Sequence, residues 1–237
     1  MKHILRAFSL TTLVSLASVC HAQTETKASN NYFKTASTPK YGVYILGGVA
    51  MPYTDVNTSA KAGFSFGVQG QIKATYFLDA ALDIQMGKLS AGDSRANSSN
   101  RLMRFENKTF SAAAVARLSP LKFLNNIQHK TPLYYLSNLY VGTGIGLLKS
   151  KVEANRFVDP TFVYIGNYAG TNVFLPVEFG ITAPVYEMKN KSSINVNLNY
   201  RVCFVMNDKI DGYTTPVVLN DKNDVFNVFN IGIGYRW

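Results

Sequence analysis

From Ile194 to Phe204 every second residue is large and apolar: Ile194, Val196, Leu198, Tyr200, Val202 and Phe204. Between them stand Asn195, Asn197, Asn199, Arg201 and Cys203. A period of two fits an extended strand with two unlike faces and does not fit a helix. The chain closes on the same rhythm, with Phe229, Ile231, Ile233, Tyr235 and Trp237 alternating with Asn230, Gly232, Gly234 and Arg236. Six further segments repeat it, at about Tyr41–Ala50, Gly63–Lys73, Leu78–Lys88, Glu106–Leu118, Leu139–Ser150 and Asn172–Val185. The alternation predicts all-β structure of about eight strands, most of ten to twelve residues, with one apolar face and one face of Asn, Gln, Gly, Ser and charged residues. Leu198 then belongs to the apolar face, intolerant of charge, and Asn199 to a more tolerant polar one.

A soluble sandwich also alternates. Two features separate it from a closed barrel in a bilayer. Soluble strands are mostly five or six residues long, whereas ten or so tilted residues cross a membrane. The links here also alternate in length. Those at about Met51–Ala62, Leu89–Phe105, Lys151–Thr171 and Met206–Val225 are long and polar, while Ala74–Phe77 and Tyr186–Ser192 are short. Long loops at one end and short turns at the other is the up-and-down pattern of membrane barrels with an even strand count. Ser119–Asn138 breaks it; Leu121, Leu124 and Ile127 there have helical spacing, and a short amphipathic helix at the inner interface is expected.

Residues 1–22 read as a signal peptide: Lys2 and Arg6, an apolar stretch to Val19, and Cys20-His21-Ala22 before the cut. Lipidation at Cys20 is the alternative, weakened by Val19 before it. Residues 23–40 read as a polar, flexible periplasmic leader and 41–237 as the β domain. Cleavage removes Lys2 and Arg6 and lowers the formal charge from +10 to +8. It leaves Cys203 without a disulfide partner. No apolar run reaches the 18 residues of a spanning helix. The basic balance does not indicate nucleic acid, because the chain is exported and its cations lie mostly between strands.

Little in the sequence carries catalytic chemistry. His3 and His21 leave with the signal and His129 lies in the odd link, so no strand or outer loop supplies a histidine to activate a serine. Neither a metal cluster nor a cofactor site is expected. Gly142, Gly144 and Gly146 have G-x-G-x-G spacing inside a strand; they make room in a narrow barrel and do not form a nucleotide loop. Cys203 reads as an inward space-filler. The Asn-x-Ser/Thr triplets at Asn57, Asn97 and Asn107 reflect polar loops. Strand parity turns Lys73, Asp79, Asp83, Arg117, Glu178, Arg201 and Arg236 to one interior. Charges there must pair or hold water. Counted from the short link Tyr186–Ser192, Glu178 and Arg201 stand at nearly one height on paired strands, where a salt bridge is expected, and Arg117 and Asp83 face the same lumen and can complete a network. The charges form either a polar plug or a gate whose pairs can swap.

With the signal, the strand rhythm and the terminal Phe229–Trp237 motif, residues 41–237 resemble the small outer-membrane β-barrels of the OmpA/OmpX type. The resemblance implies an eight-stranded antiparallel transmembrane barrel and a bacterial outer-membrane location; a monomer is expected. It implies that Phe229, Ile231, Ile233, Tyr235 and Trp237 serve as the insertion signal read by the barrel-assembly machinery. The peptidoglycan-binding domain of larger members is not expected after the last strand. Arg101, Arg104, Lys108, Lys149, Lys151 and Arg156 meet at one side of the outer rim and are expected to contact lipopolysaccharide phosphates. The expected role is structural or surface-interacting, without catalysis. A narrow pore, a lipid-modifying barrel enzyme and a soluble lipocalin-like carrier are the alternatives.

Overall fold

In a computed structural model of the chain, the described residues are 40–53, 60–92, 104–123, 135–154, 163–164, 168–188, 192–206, 210–211, 213–214 and 224–237. The expected signal peptide, nearly all of the leader, Arg101, Arg156 and the three histidines lie outside them. Eight long strands follow one another: β1 (Tyr41–Tyr53), β2 (Gly63–Lys73), β3 (Leu78–Gly92) and β4 (Arg104–Leu118). They continue as β5 (Leu139–Ala154), β6 (Tyr168–Glu187), β7 (Ser193–Val205) and β8 (Val225–Arg236). Each pairs antiparallel with the next, and β8 pairs with β1, so the sheet closes on itself.

The pairing defines the cylinder. Tyr41 lies opposite Ile72, and the row runs on through Ala80, Ala116, Thr143, Val177, Val202 and Asn227. It returns to β1 at Met51, ten residues beyond its start. With a rise of about 3.3 Å and strands about 4.8 Å apart, that shear over eight strands tilts them by roughly 40°. The eleven residues Ile194–Phe204 then cover about 25 Å along the barrel axis.

Both ends of the β domain meet at one end of the barrel, called here the terminal end. The Tyr41 and Lys40 amides donate to the Trp237 carbonyl at 3.1 and 2.9 Å, and the Trp237 amide donates to Tyr41 at 3.0 Å. The β2–β3 link lies at this end, as do the described parts of the β4–β5 link and of the β6–β7 link, Met188 and Ser192. That link begins as a 3-10 turn at Pro120–Phe123. Most of the helix expected from Leu121, Leu124 and Ile127 falls outside the described residues.

At the far end the strands run on beyond the alternation. β1 continues to Tyr53, β3 to Gly92 and β5 to Ala154, while β4 begins at Arg104 and β6 at Tyr168. The long links are therefore shorter than expected. Alternation reports where one face meets an apolar environment, whereas a backbone ladder continues as far as a partner strand does. Past Met86, Phe110 and Leu147 the outward face turns charged, with Lys88, Lys108, Lys149 and Lys151 beside Glu106 and Glu153, and the pattern fades, but pairing persists through Gly92↔Arg104 and Phe105↔Ala154.

The interior has two tiers. The tier toward the terminal end is polar, as expected. The far tier is not: Ala50, Leu89, Phe105, Leu148, Val152, Phe174, Cys203, Val205, Phe226 and Val228 pack there as an apolar core. Ile210 covers it, held by its amide donating to Asp224 Oδ2 at 2.9 Å and by its carbonyl accepting from Asn107 Nδ2 at 2.9 Å. A uniformly polar inward face is thus corrected for the far half. Asn107 also stands inside the barrel, fully buried, and not on a loop.

Candidate functional site

The polar tier is built around Glu178, whose carboxylate is fully buried. It sits on β6 directly opposite Arg201 of β7, as antiparallel register from a short hairpin requires. Arg201 Nε donates to Glu178 Oε1 at 2.8 Å, and its Nη2 contacts both Glu178 and Asp83 of β3. From β4, Arg117 donates through Nε to Glu178 Oε2 at 2.8 Å, with Nη2 at 2.7 Å. Two carboxylates and two guanidiniums, all 2 % exposed or less, therefore compensate one another across the lumen. That is the condition under which buried charge is tolerated.

Neutral side chains complete the network. Gln69 bridges its two sides: Nε2 donates to Asp83, and Oε1 accepts from Arg117 Nη1 at 2.8 Å. Asn199 Nδ2 donates to Glu178 Oε2 at 3.1 Å and to the Tyr140 hydroxyl at 3.0 Å. Tyr140 donates to Asn197 Oδ1 at 2.9 Å, and the Arg117 guanidinium lies 4.6 Å from the Tyr140 ring centre. Strands β2 to β7 all contribute, so the charged layer spans the interior.

Small residues make space for it. A Cβ on Gly180, opposite Tyr140, would run into the Tyr140 ring, and one on Gly146 would strike Phe174. Sequence spacing had assigned Gly142, Gly144 and Gly146 a space-making role; their partners are decided by what faces them across the ladder.

Nearer the terminal end is a second cluster. Arg236 Nη2 lies 3.4 Å from Asp79 Oδ2 and also bonds Gln71. Its guanidinium is 5.9 Å from the Tyr44 ring centre. Lys73, opposite Asp79 in register, has no carboxylate within ion-pair range among the described residues; its Nζ lies 5.5 Å from the Tyr76 ring centre. The seven charges expected in one network therefore divide into a central four, an Arg236–Asp79 pair and a separate Lys73. Lys122, from the 3-10 turn, is buried here too, and loss of water pushes its ammonium down to about 8 against the pull of Asp79.

Sequence reasoning passed over Tyr140 and Lys122 as site residues. Tyr140 carries a parity signal, since it shares the inward face with Gly142. Lys122 carries none, because a turn has no period. Among the described residues, a cavity of about 20 Å³, room for about one water, is lined by Ala50, Ser65, Gln85, Leu148 and Phe226.

The outward surface is the inverse of this interior. Ile45, Leu82, Ile145 and Ile233 are each 58–63 % exposed. Tyr41, Tyr76, Tyr186, Tyr235 and Trp237 are exposed at the terminal end, and the Tyr235 and Trp237 rings stack at 5.8 Å. Phe229, Ile231, Ile233, Tyr235 and Trp237 all face outward. Of the expected rim cations, Arg104, Lys108, Lys149 and Lys151 are on the far ends of β4 and β5, not in loops. Lys108, Lys149 and Lys151 are exposed.

No family model matches this chain. No curated protein matches it either. Solved structures do. Neisserial surface protein A is 12 % identical with a TM-score of 0.46, over 83 % of this chain and 97 % of that one. Ail, the attachment invasion locus protein of Yersinia pestis, in complex with the heparin analogue sucrose octasulfate, is 13 % identical with a TM-score of 0.45, over 84 % and 99 %. The outer membrane protein OprG of Pseudomonas aeruginosa is 11 % identical with a TM-score of 0.40, over 85 % and 98 %. The fold of this chain is the eight-stranded up-and-down barrel expected from its likeness to the OmpA/OmpX type.

Proposed function

We propose that this chain is an integral β-barrel of the bacterial outer membrane, closed by its internal ion-pair layer, with a structural and surface-interaction role and no catalysis. The inverted distribution of side chains carries the reading. Isoleucines more than half exposed ring the outside, while Glu178, Arg117 and Arg201 are buried inside. In water such a surface would be an aggregation hazard; in a bilayer it is the solvated face. The band of about 25 Å and the aromatic residues at its terminal edge suit a hydrocarbon layer and its interface. The terminal end is then periplasmic and the far end faces outward.

Closure removes free strand edges, which supports a monomer. The terminal strand pairs along its length with β1, which closes the ring; its outward Phe229, Ile231, Ile233, Tyr235 and Trp237 suit an insertion signal read by the assembly machinery. Glu178, Asp83, Arg117 and Arg201 bind one another, and among the described residues the cavity beside this layer holds about one water, which supports a non-catalytic role. The test is extraction with detergent followed by electrophoresis with and without boiling. A compact band that shifts on boiling is expected. Recovery in the soluble fraction without detergent would replace the membrane barrel with a secreted carrier.

A further inference from the structure

The outward face of the barrel does not end alike all the way round. On β3 the outward residue beyond Met86 is Lys88; on β4 the one beyond Phe110 is Lys108; on β5 Lys149 and Lys151 follow Leu147. The register sets Lys88 opposite Lys108, and Lys108 opposite Lys151. Three lysines thus stand in one cross-strand row, where like charges at a Cβ separation of about 5 Å repel. Lys149 stands one outward position below Lys151.

Neighbouring acids offset this only in part. Glu106 takes Lys88 at 2.8 Å and Arg104 at 3.3 Å. Lys108, Lys149 and Lys151 have no carboxylate in range among the described residues. On β1, β6, β7 and β8 the outward residues at this edge are uncharged, Tyr53, Thr171, Phe204 and Val225, while exposed Lys61, just before β2, lies opposite Ser90 of β3 and adjoins the row. The cations therefore mark one sector.

We propose that this row is a docking site for the phosphate groups of lipopolysaccharide lipid A in the outer leaflet. The inference rests on the membrane reading above and names a partner for one side of that barrel. The row lies where the apolar band ends, which is the level of lipid phosphates. Phosphate oxygens bridging adjacent ammonium groups would turn the repulsion into charge-assisted hydrogen bonds. Of the expected rim cations, Lys108, Lys149 and Lys151 belong to the site, and Lys88 joins them.

The test is binding of diphosphoryl lipid A and of chemically dephosphorylated lipid A to the detergent-solubilised full-length barrel, read by native mass spectrometry. Diphosphoryl lipid A should bind more tightly, and Lys108→Gln with Lys151→Gln should weaken it about thirtyfold, a factor of roughly five per lysine. Lys40→Gln, at the terminal end, should change nothing. Equal binding of the two lipids, an unaltered double variant, or an equal loss in Lys40→Gln would each overturn the site. Heat-modifiable migration and insertion into phosphatidylcholine vesicles are measured on the same samples. If the unmutated protein fails those, the membrane reading itself fails; if it passes them and does not discriminate the lipids, only the docking site is lost. Should the double variant not fold, Lys149→Gln alone gives the same comparison.

Discussion

Glu178 binds two arginines at once, and this makes its removal asymmetric. Glu178→Ala leaves Arg117 and Arg201 with only Asp83 between them, a net positive charge in a confined layer. Adding Arg201→Ala leaves one acid and one base, balanced again. The single variant should lose about 3–5 kcal/mol and the double variant less. Additive losses in urea titrations of the four-member cycle would mean the two residues are uncoupled. Lys122 gives a pH test outside the spanning strands. Its folded value is down at about 8 from 10.5, so between these pH values the unfolded chain holds more protons and stability rises with pH. Below about 8 both states are charged and the penalty is constant. Lys122→Met should therefore be more stable than the unmutated protein at pH 7, by at most about 3 kcal/mol, and the gap should close by pH 10.5. Parallel stability curves for the two proteins across that range would reject this account of the buried lysine.

At the scale of one strand, β7 tests the register. Leu198 faces outward at mid-height, and an arginine there should cost roughly 2–4 kcal/mol in a bilayer. Alternation alone ranks Asn199 as tolerant because it is polar. The structure revises this: Asn199 is 1 % exposed and donates to both Glu178 and Tyr140. Asn199→Ser should then cost about 1–2 kcal/mol, because a shorter hydroxyl cannot reach both acceptors. Folding titrations of both variants in vesicles check the pair, and equal tolerance would break the assigned faces. The same strand shows why parity was so legible. Each neighbour alternates too, so a slip by one residue would place Asn197 and Arg201 in lipid. Irregularity gathers where that constraint ends, as at the β6–β7 hairpin, where the register shifts between Pro184 and Tyr186.

For the whole molecule, two dissimilar layers obstruct the axis: the ion-pair tier and, beyond it, the apolar core under Ile210. The purified barrel should show no steady conductance in planar bilayers. A large constant current would favour the narrow pore. Glu178→Ala should raise brief openings at most, since the apolar tier stays in place. Much of this architecture was readable along the chain. An apolar outer face and a crowded interior impose opposite demands on successive residues, so period two reported strand count, facing and the inward set of charges. Parity also placed Glu178 and Arg201 at one height, because a short hairpin ties their positions. Parity named the four charges around Glu178; that Lys73 and the Arg236–Asp79 pair stand apart from them was decided only by closure. The shear of the ring brings β3, β4, β6 and β7 to a common level around Glu178 and leaves Lys73 with Tyr76. The apolar far tier and the row Lys88–Lys108–Lys151 belong to the same class. They depend on neighbours from separate strands, and the alternation within one strand carries no record of what stands across the ladder.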